Sequence, residues 1–506
     1  MKISFSVLVL GTFGTLSMSL GYWIWTVIHT FPVPEPWLGS LLYYLHHTVS
    51  EPKLRPILFW SLLKGFAPML IILYVMKEIR ADEGNVNLLR GARIVSTNEL
   101  VRKTRAKSPQ LQVEIAGVPI PVACESGHLL LTGSTNTGKT TAADEVLHFA
   151  LERGDRIIVI DPNGHAFSQF GKKEDVLMNP FDTRSPGWSI FNELRNPFDV
   201  DRLAKSVIPD SSDSSAQQWH EYARLLFAET TRALTRCGDT NTGRLLYFLT
   251  NAPTDELNAL LAGSAATGLF TQGAERALAS TRFVLTHHVG AFQFLNPGTF
   301  SLRDWLDSGN GNLYLTWRED MITTLRPLIS IWTNILISSI LTLPTAQPRT
   351  IWLSLDELAS LDRLSSLEAG LTKGRKHGLR IIACLQSVSQ LNELYGTHTS
   401  NTLRSCFRNL LALGCSNADP YTAKEISDGL GQCEIERSQT TISNSKSGQS
   451  STTSMQRTLE LAVLPSELMA LPPLRGFLKI AGNYPIGRVR LIPKNHPVIS
   501  SPFVER

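Results

Sequence analysis

Apolar and polar positions along the 506-residue chain fall into three regimes. Two long apolar runs stand near the N-terminus. Ile3–Ile28 carries no Asp, Glu, Lys or Arg, and Pro56–Met76 carries a single one, Lys64. Each is long enough to cross roughly 30 Å of hydrocarbon. Tyr22, Trp23 and Trp25 sit at the end of the first run, where interfacial aromatics belong. A cleaved signal peptide fits less well, because the run is too long and no A-x-A site follows it. Lys77, Arg80, Arg90 and Arg93 follow the second run and put that side in the cytoplasm. The expectation is a membrane anchor over residues 1–80 with two spans, 3–28 and 56–76, and both termini cytoplasmic. A lysine mid-span is costly, so Lys64 should face a partner helix or a bundle interior.

The second regime consists of short apolar runs separated by helical patterns. Leu129–Leu131, Arg156–Ile160, Gly311–Thr316, Thr350–Leu355, Leu379–Leu385 and Leu410–Leu413 all read as strands covered on both faces, the mark of an α/β sheet. The third regime, from Asn192 to Asn296, has no such runs. Helical patterns over Val200–Ile208, Ala216–Cys237, Gly243–Asn251, Thr254–Leu261 and Ala274–Phe294 predict an all-α domain at 192–296, inserted in an α/β domain at 81–191 and 297–506. Ser438–Thr458 is dense in Ser and Thr and predicts a flexible excursion.

The chemistry concentrates in Gly133-Ser134-Thr135-Asn136-Thr137-Gly138-Lys139-Thr140-Thr141, between a strand and a helix. This is the G-x-x-x-x-G-K-[ST] phosphate loop in its required setting. The glycines let successive N–H groups turn inward to the phosphates, and the following helix adds its N-terminal partial charge. Lys139 is placed for the β/γ-phosphates and Thr140 for Mg²⁺, so ATP and Mg²⁺ are the expected cofactors. The strand Thr350–Leu355 runs into Asp356-Glu357. Asp356 is suited to the Mg²⁺ shell and Glu357 to polarising the attacking water as general base. Gln386, at the tip of the next strand, can hydrogen-bond that water or the γ-phosphate. Arg375 lies in the basic loop Thr372–Gly378 and reads either as an arginine finger completing a neighbour's site or as a solvated charge. Asp161 ends another buried strand; facing the site and forming an Asp-Pro turn are equally good readings.

Composition changes this picture little. The formal charge of +4, from 48 Lys and Arg against 44 Asp and Glu, points to no partner by itself. From Arg437 onward nine basic residues face three acidic ones, which suits a nucleic-acid surface or a solvated or membrane-facing one. The six cysteines form no C-x-x-C pair, so they read as small buried residues in a reduced compartment. His220-Glu221 lacks a second His at zinc spacing, and His287-His288 reads as helix surface. There is no His-Glu-x-x-His motif, which excludes a membrane protease of the AAA type, and no Leu-Ser-Gly-Gly-Gln-like signature of an ABC transporter.

Taken in order, several motifs resemble the type IV coupling proteins of bacterial conjugation, the TraD/TrwB group. They are the two apolar runs, Gly133–Thr141, Asn179-Pro180-Phe181-Asp182, the helical insertion, Leu355-Asp356-Glu357-Leu358, Lys373–Gly378 and Leu385-Gln386-Ser387, with Leu464–Leu468 and Tyr484-Pro485 after them. The resemblance implies a RecA-like fold related to FtsK-type translocases and a homohexamer at the bacterial inner membrane. It implies an ATPase that couples the relaxosome, a relaxase on single-stranded DNA, to a type IV secretion system, with double-stranded DNA as a further substrate. Partners would then include relaxosome accessory proteins and inner-membrane secretion components. The same resemblance makes Lys139, Glu357, Arg375 and Gln386 the catalytic set, with Gln386 as γ-phosphate sensor. It puts Trp219 near the entrance where DNA or relaxosome proteins arrive. Two alternatives remain: an ATP-switched membrane receptor for secretion substrates, and an FtsK-like septal DNA translocase.

Overall fold

The computed structural model describes residues 5–67, 86–107, 111–211, 213–345, 347–445 and 448–506. The chain divides into two compact units, Met1–Arg90 with Glu434–Glu460, and Gly91–Cys433 with Leu461–Arg506. In chain order the strands are β1 Val86–Gly91, β2 Ile94–Ser96, β3 Glu114–Ile115, β4 Val118–Pro119, β5 Leu129–Thr132, β6 Arg156–Pro162, β7 Val176–Met178 and β8 Leu313–Trp317. They continue with β9 Ile351–Leu355, β10 Leu379–Leu385, β11 Asn409–Leu413, β12 Gln432–Ser445, β13 Gly448–Leu461, β14 Arg475–Lys479 and β15 Ile486–Arg490.

The first unit holds the helix Phe5–Thr30, the short helix Trp37–His47, a helical stretch at 55–67 and the sheet β1-β12-β13. Twenty-six residues at about 1.5 Å each make the first helix about 39 Å long. Trp23 and Val27 pack with Leu41 and Leu54 in a small core, while Phe13, Leu16, Met18, Trp25 and Ile28 point outward. The second expected span is helical as far as residue 67, and its remainder lies outside the described residues. The Ser/Thr-dense segment differs from the flexible excursion expected of it, because it lies in the paired strands β12 and β13. Strand pairing satisfies the backbone of both partners, and Thr suits a strand, so this pairing needs no apolar run.

The second unit is built on a ten-stranded sheet in the order β2-β15-β14-β11-β5-β10-β9-β6-β8-β7. From β11 to β7 all neighbours are parallel; β14 runs antiparallel to β11 and to β15. Residues along each central strand alternate between two cores. Ile158 and Ile160 of β6, with Leu353 and Leu355 of β9, join one face, and Ile157, Val159 and Trp352 join the other. Both faces are covered, which is why these strands are continuously apolar.

Between β7 and β8 the regular elements are helices, the longest being Ser214–Arg236. Leu203, Phe227, Leu249 and Leu285 from this region share one core with Ile158, Leu315 and Leu353 of the sheet. The helical region is therefore packed onto a sheet face. The helix over Glu319–Ile340 is apolar and long enough to cross a membrane by length and composition, yet 67% of its window is buried, and it runs through this same core.

Candidate nucleotide site

The site is assembled at the carboxyl ends of β5, β9 and β10. β10 lies between the other two, with Leu385 opposite Thr132 and Ala383 opposite Leu355. Gln386 therefore stands between the phosphate loop and the carboxylate pair. β5 leads into the loop, and the helix Lys139–Arg153 leaves it.

Two glycines are required by shape. Gly138 has φ +110°, and a Cβ there would lie 2.8 Å from both Leu474 Cδ2 and Leu491 Cδ1. A Cβ on Gly133 would lie 2.6 Å from Thr137 Oγ1. The loop is braced from outside: Ser134 N–H donates to Gly414 O (2.8 Å), Gly133 N–H to Leu385 O (3.2 Å) and Leu474 N–H to Thr137 O (3.0 Å).

Lys139 bends back under this loop, donating to the carbonyls of Gly133 (2.8 Å) and Ser134 (3.0 Å). Burial pushes its ammonium below the usual lysine range, against the pull of Asp356 and Glu357. Thr140 donates its hydroxyl to both oxygens of Asp356, at 3.2 and 3.4 Å. Gln386 donates to Glu357 Oε1 (3.2 Å) and accepts from Thr135 Oγ1 (3.4 Å), which links the loop to the carboxylate pair. Burial raises both Asp356 and Glu357 above the ordinary carboxylate range, with mutual repulsion adding to the shift of Glu357. A cation bound beside Thr140 would offset that cost. The donor set fits Mg²⁺, a hydroxyl and a carboxylate with room left for phosphate oxygens. The chemistry available is in-line attack of a water held by Glu357 and Gln386 on a phosphoryl group held by Lys139 and the loop N–H groups.

Not every expected residue comes here. Arg375 is exposed on the short helical turn Gly374–His377 before β10, so seven strand residues, about 23 Å, separate it from Gln386. Trp219 is half-buried on the helix Ser214–Arg236, edge-on to Tyr222, and among the described residues it makes no hydrogen bond or ring contact with the loop. The two readings of Asp161 are now separated. Its carboxylate accepts from the N–H groups of Ala166 (2.9 Å) and Phe167 (2.8 Å), capping its own helix, and Asn163-Gly164 makes the turn between. Asp182 pairs with Arg184 and accepts the N–H of Val504, fastening the C-terminal residues.

Sequence reasoning missed Leu474 and Leu491, which close over Gly138, and buried Cys384, whose Sγ lies 3.7 Å from Asp356 Oδ1. Nothing local marks the leucines, since they arrive through the β14–β15 hairpin more than 300 residues later. Cys384 was legible only as an apolar strand position.

With this geometry in place, comparison with known proteins becomes specific. The family described as "Type IV secretion-system coupling protein DNA-binding domain" matches residues 112–492. The chain belongs to this family. Among solved structures it is similar to the bacterial conjugative coupling protein TrwBdeltaN70 in unbound form, 44% identical, with a TM-score of 0.78 over 83% of this chain and 96% of that one. The plasmid coupling protein TrwB in complex with ADP and Mg²⁺ is similar at 43% identity and a TM-score of 0.77, over 83% and 98%. The likeness establishes an α/β, RecA-like P-loop domain. Coupling protein TraD of Escherichia coli (strain K12) is 26% identical over 459 residues, 86% of this chain. The chain spans 63% of TraD's length. Conjugal transfer protein TraG of Rhizobium radiobacter is 31% identical over a shorter stretch of 138 residues, 27% of this chain and 21% of that one.

Proposed function

We propose that the chain is a membrane-anchored ATPase that couples a DNA–relaxase complex to a type IV secretion channel in conjugation and drives DNA transfer by ATP hydrolysis. The observation that carries this reading is the set of contacts Thr140–Asp356 and Thr135–Gln386–Glu357, with Lys139 folded under the same loop, inside a coupling-protein domain. ATP and Mg²⁺ are its cofactors; TrwB itself is known with ADP and Mg²⁺ and with a non-hydrolysable ATP analogue.

The exposed position of Arg375, remote from its own subunit's loop, supports service across a subunit boundary and hence a ring, a homohexamer by resemblance. The 26-residue helix with outward Phe13, Leu16, Met18 and Trp25 supports anchoring in the inner membrane, with 56–76 as the second span and both termini cytoplasmic. Trp219 is the proposed contact for incoming DNA or relaxosome proteins.

The deciding measurement is ATP hydrolysis by the detergent-purified full chain, with and without single-stranded DNA, over a range of protein concentrations. The motor reading expects DNA stimulation and a steep rise with protein concentration that Arg375→Ala removes. Tight ATP binding with turnover indifferent to DNA and concentration would replace the motor with an ATP-switched receptor.

A further inference from the structure

A group of ligand-type side chains outside the nucleotide site lies where the helical region meets the loop after β9. Reading His287-His288 as helix surface holds for His287, which is exposed, and fails for His288, which is only 6% exposed. One ligand atom each of His287, His288 and Asp362 lies within 4.8 Å of the others. A tetrahedral site with about 2.0–2.1 Å bonds needs ligand atoms about 3.3 Å apart, so binding would have to draw these side chains together.

Two further observations point to a missing ligand. Asp362 Oδ2 is buried and has no hydrogen-bond partner among the described residues, while the Asp362 N–H donates to Ser330 Oγ. Among the described residues nothing hydrogen-bonds the His288 ring either, although it is more than nine-tenths buried. His220 adds to the cluster: its ring centroid is 5.5 Å from that of His288, and its Nδ1 is engaged by Pro209 O at 2.7 Å. A carbonyl only accepts, so the Nδ1–H of His220 is the donor in that bond.

We propose that His287, His288 and Asp362 bind a divalent transition-metal ion of the Zn²⁺ class, pinning the helix Glu275–Val289 to the loop five residues beyond Glu357. Two imidazoles and one carboxylate are borderline ligands suited to Zn²⁺ or Co²⁺ and poorly suited to Mg²⁺. The opposing charge is Arg326, which acts on Asp362 from the helix Ile322–Ile340, and among the described residues no ion pair joins the two. A simple Asp362–Arg326 pair is therefore the competing outcome.

The test uses the full chain in detergent, stripped with a chelator and held in excess Mg²⁺ and ADP so that the nucleotide site is filled. Co²⁺ is added and its visible absorption followed, then displaced with Zn²⁺. One site per chain is expected, with Zn²⁺ raising the melting temperature. His287→Gln and Asp362→Asn should each weaken Co²⁺ binding about tenfold or more. His287 is exposed, so His287→Gln should melt like the wild type without metal and keep basal ATP turnover. Absence of the absorption band, or equal Co²⁺ affinity in both variants, overturns the proposal. In that case a melting temperature lowered by Arg326→Ala, and indifferent to Zn²⁺, would identify the ion pair.

Discussion

β6 and β9 are neighbouring strands with almost the same sequence signal and opposite uses of it. Ile157–Ile160 and Ile351–Leu355 are both fully buried, and Ile160 lies opposite Leu355, so Asp161 and Asp356 occupy adjoining positions at the sheet's carboxyl edge. Asp161 turns into its own chain and caps the helix His165–Phe170. Asp356 instead meets Thr140 on another segment, and the next residue, Glu357, is held by Gln386. A buried strand ending in a carboxylate therefore places an acid at the site's edge, and hydrogen-bond donors decide its task. Where the following turn offers free helix N–H groups, the acid becomes structural.

The largest expected effect is on chemistry alone. Glu357→Gln keeps the shape and the bond to Gln386 but removes the base, and turnover should fall about 10²–10⁴-fold with ATP binding and melting temperature unchanged. Because burial lifts Glu357 above the usual carboxylate range, wild-type turnover should also fall on the acid side of that raised value, as the base becomes protonated. A variant retaining half the wild-type rate would remove Glu357 from its role and make the two strand ends alike.

The converse substitution, Asp161→Asn, should act on stability and spare the rate per folded molecule. One of the two N–H bonds is lost, at a cost of about 1–3 kcal/mol. The pH dependence sharpens the contrast. Burial holds Asp161 at about 7, above its ordinary 3.8, against the two N–H donors that pull it down. Between those values the folded state keeps a proton that the unfolded chain releases, so this group's contribution is full at acid pH and declines as pH rises through the window. The deficit of Asp161→Asn should thus narrow between about pH 4 and about pH 7 in thermal melts of the two proteins. A deficit that fails to narrow over this range would mean the carboxylate is ionised and stabilising throughout.

Comparing the strands also shows what was legible in the chain. The phosphate loop, the Asp-Glu strand and the order of apolar runs were readable because each is local: a fixed spacing or a buried strand needs no knowledge of distant residues. The interposition of β10, which gives Gln386 its two partners, is a matter of strand order and has no local signature. The fate of Asp161 was undecidable for the same reason, since turn-formers and strand-end acids look alike until the donor is known. His288 was misread because adjacent histidines near a helix end show no periodicity that separates the buried ring from the exposed one. The β12–β13 strands were missed because strand pairing satisfies the backbone without the apolar run used to detect strands.

The smallest effect concerns how Gln386 is held. Its oxygen accepts from exposed Thr135 at 3.4 Å, a long bond in contact with water, while its nitrogen donates to half-buried Glu357 at 3.2 Å. A neutral bond of this kind is worth about 0.5–1.5 kcal/mol, and solvent exposure puts Thr135 at the lower end. Gln386→Ala, which loses both contacts and its reach toward the reacting water, should lower turnover about tenfold, equivalent to about 1.4 kcal/mol of barrier. Thr135→Ala should lower it only about two- to threefold by the same arithmetic. Steady-state rates at saturating ATP measure both. If Thr135→Ala proves as damaging as Gln386→Ala, the loop, rather than Glu357, sets the position of the glutamine, and the division of labour inferred for the β9 and β10 tips must shift toward the phosphate loop.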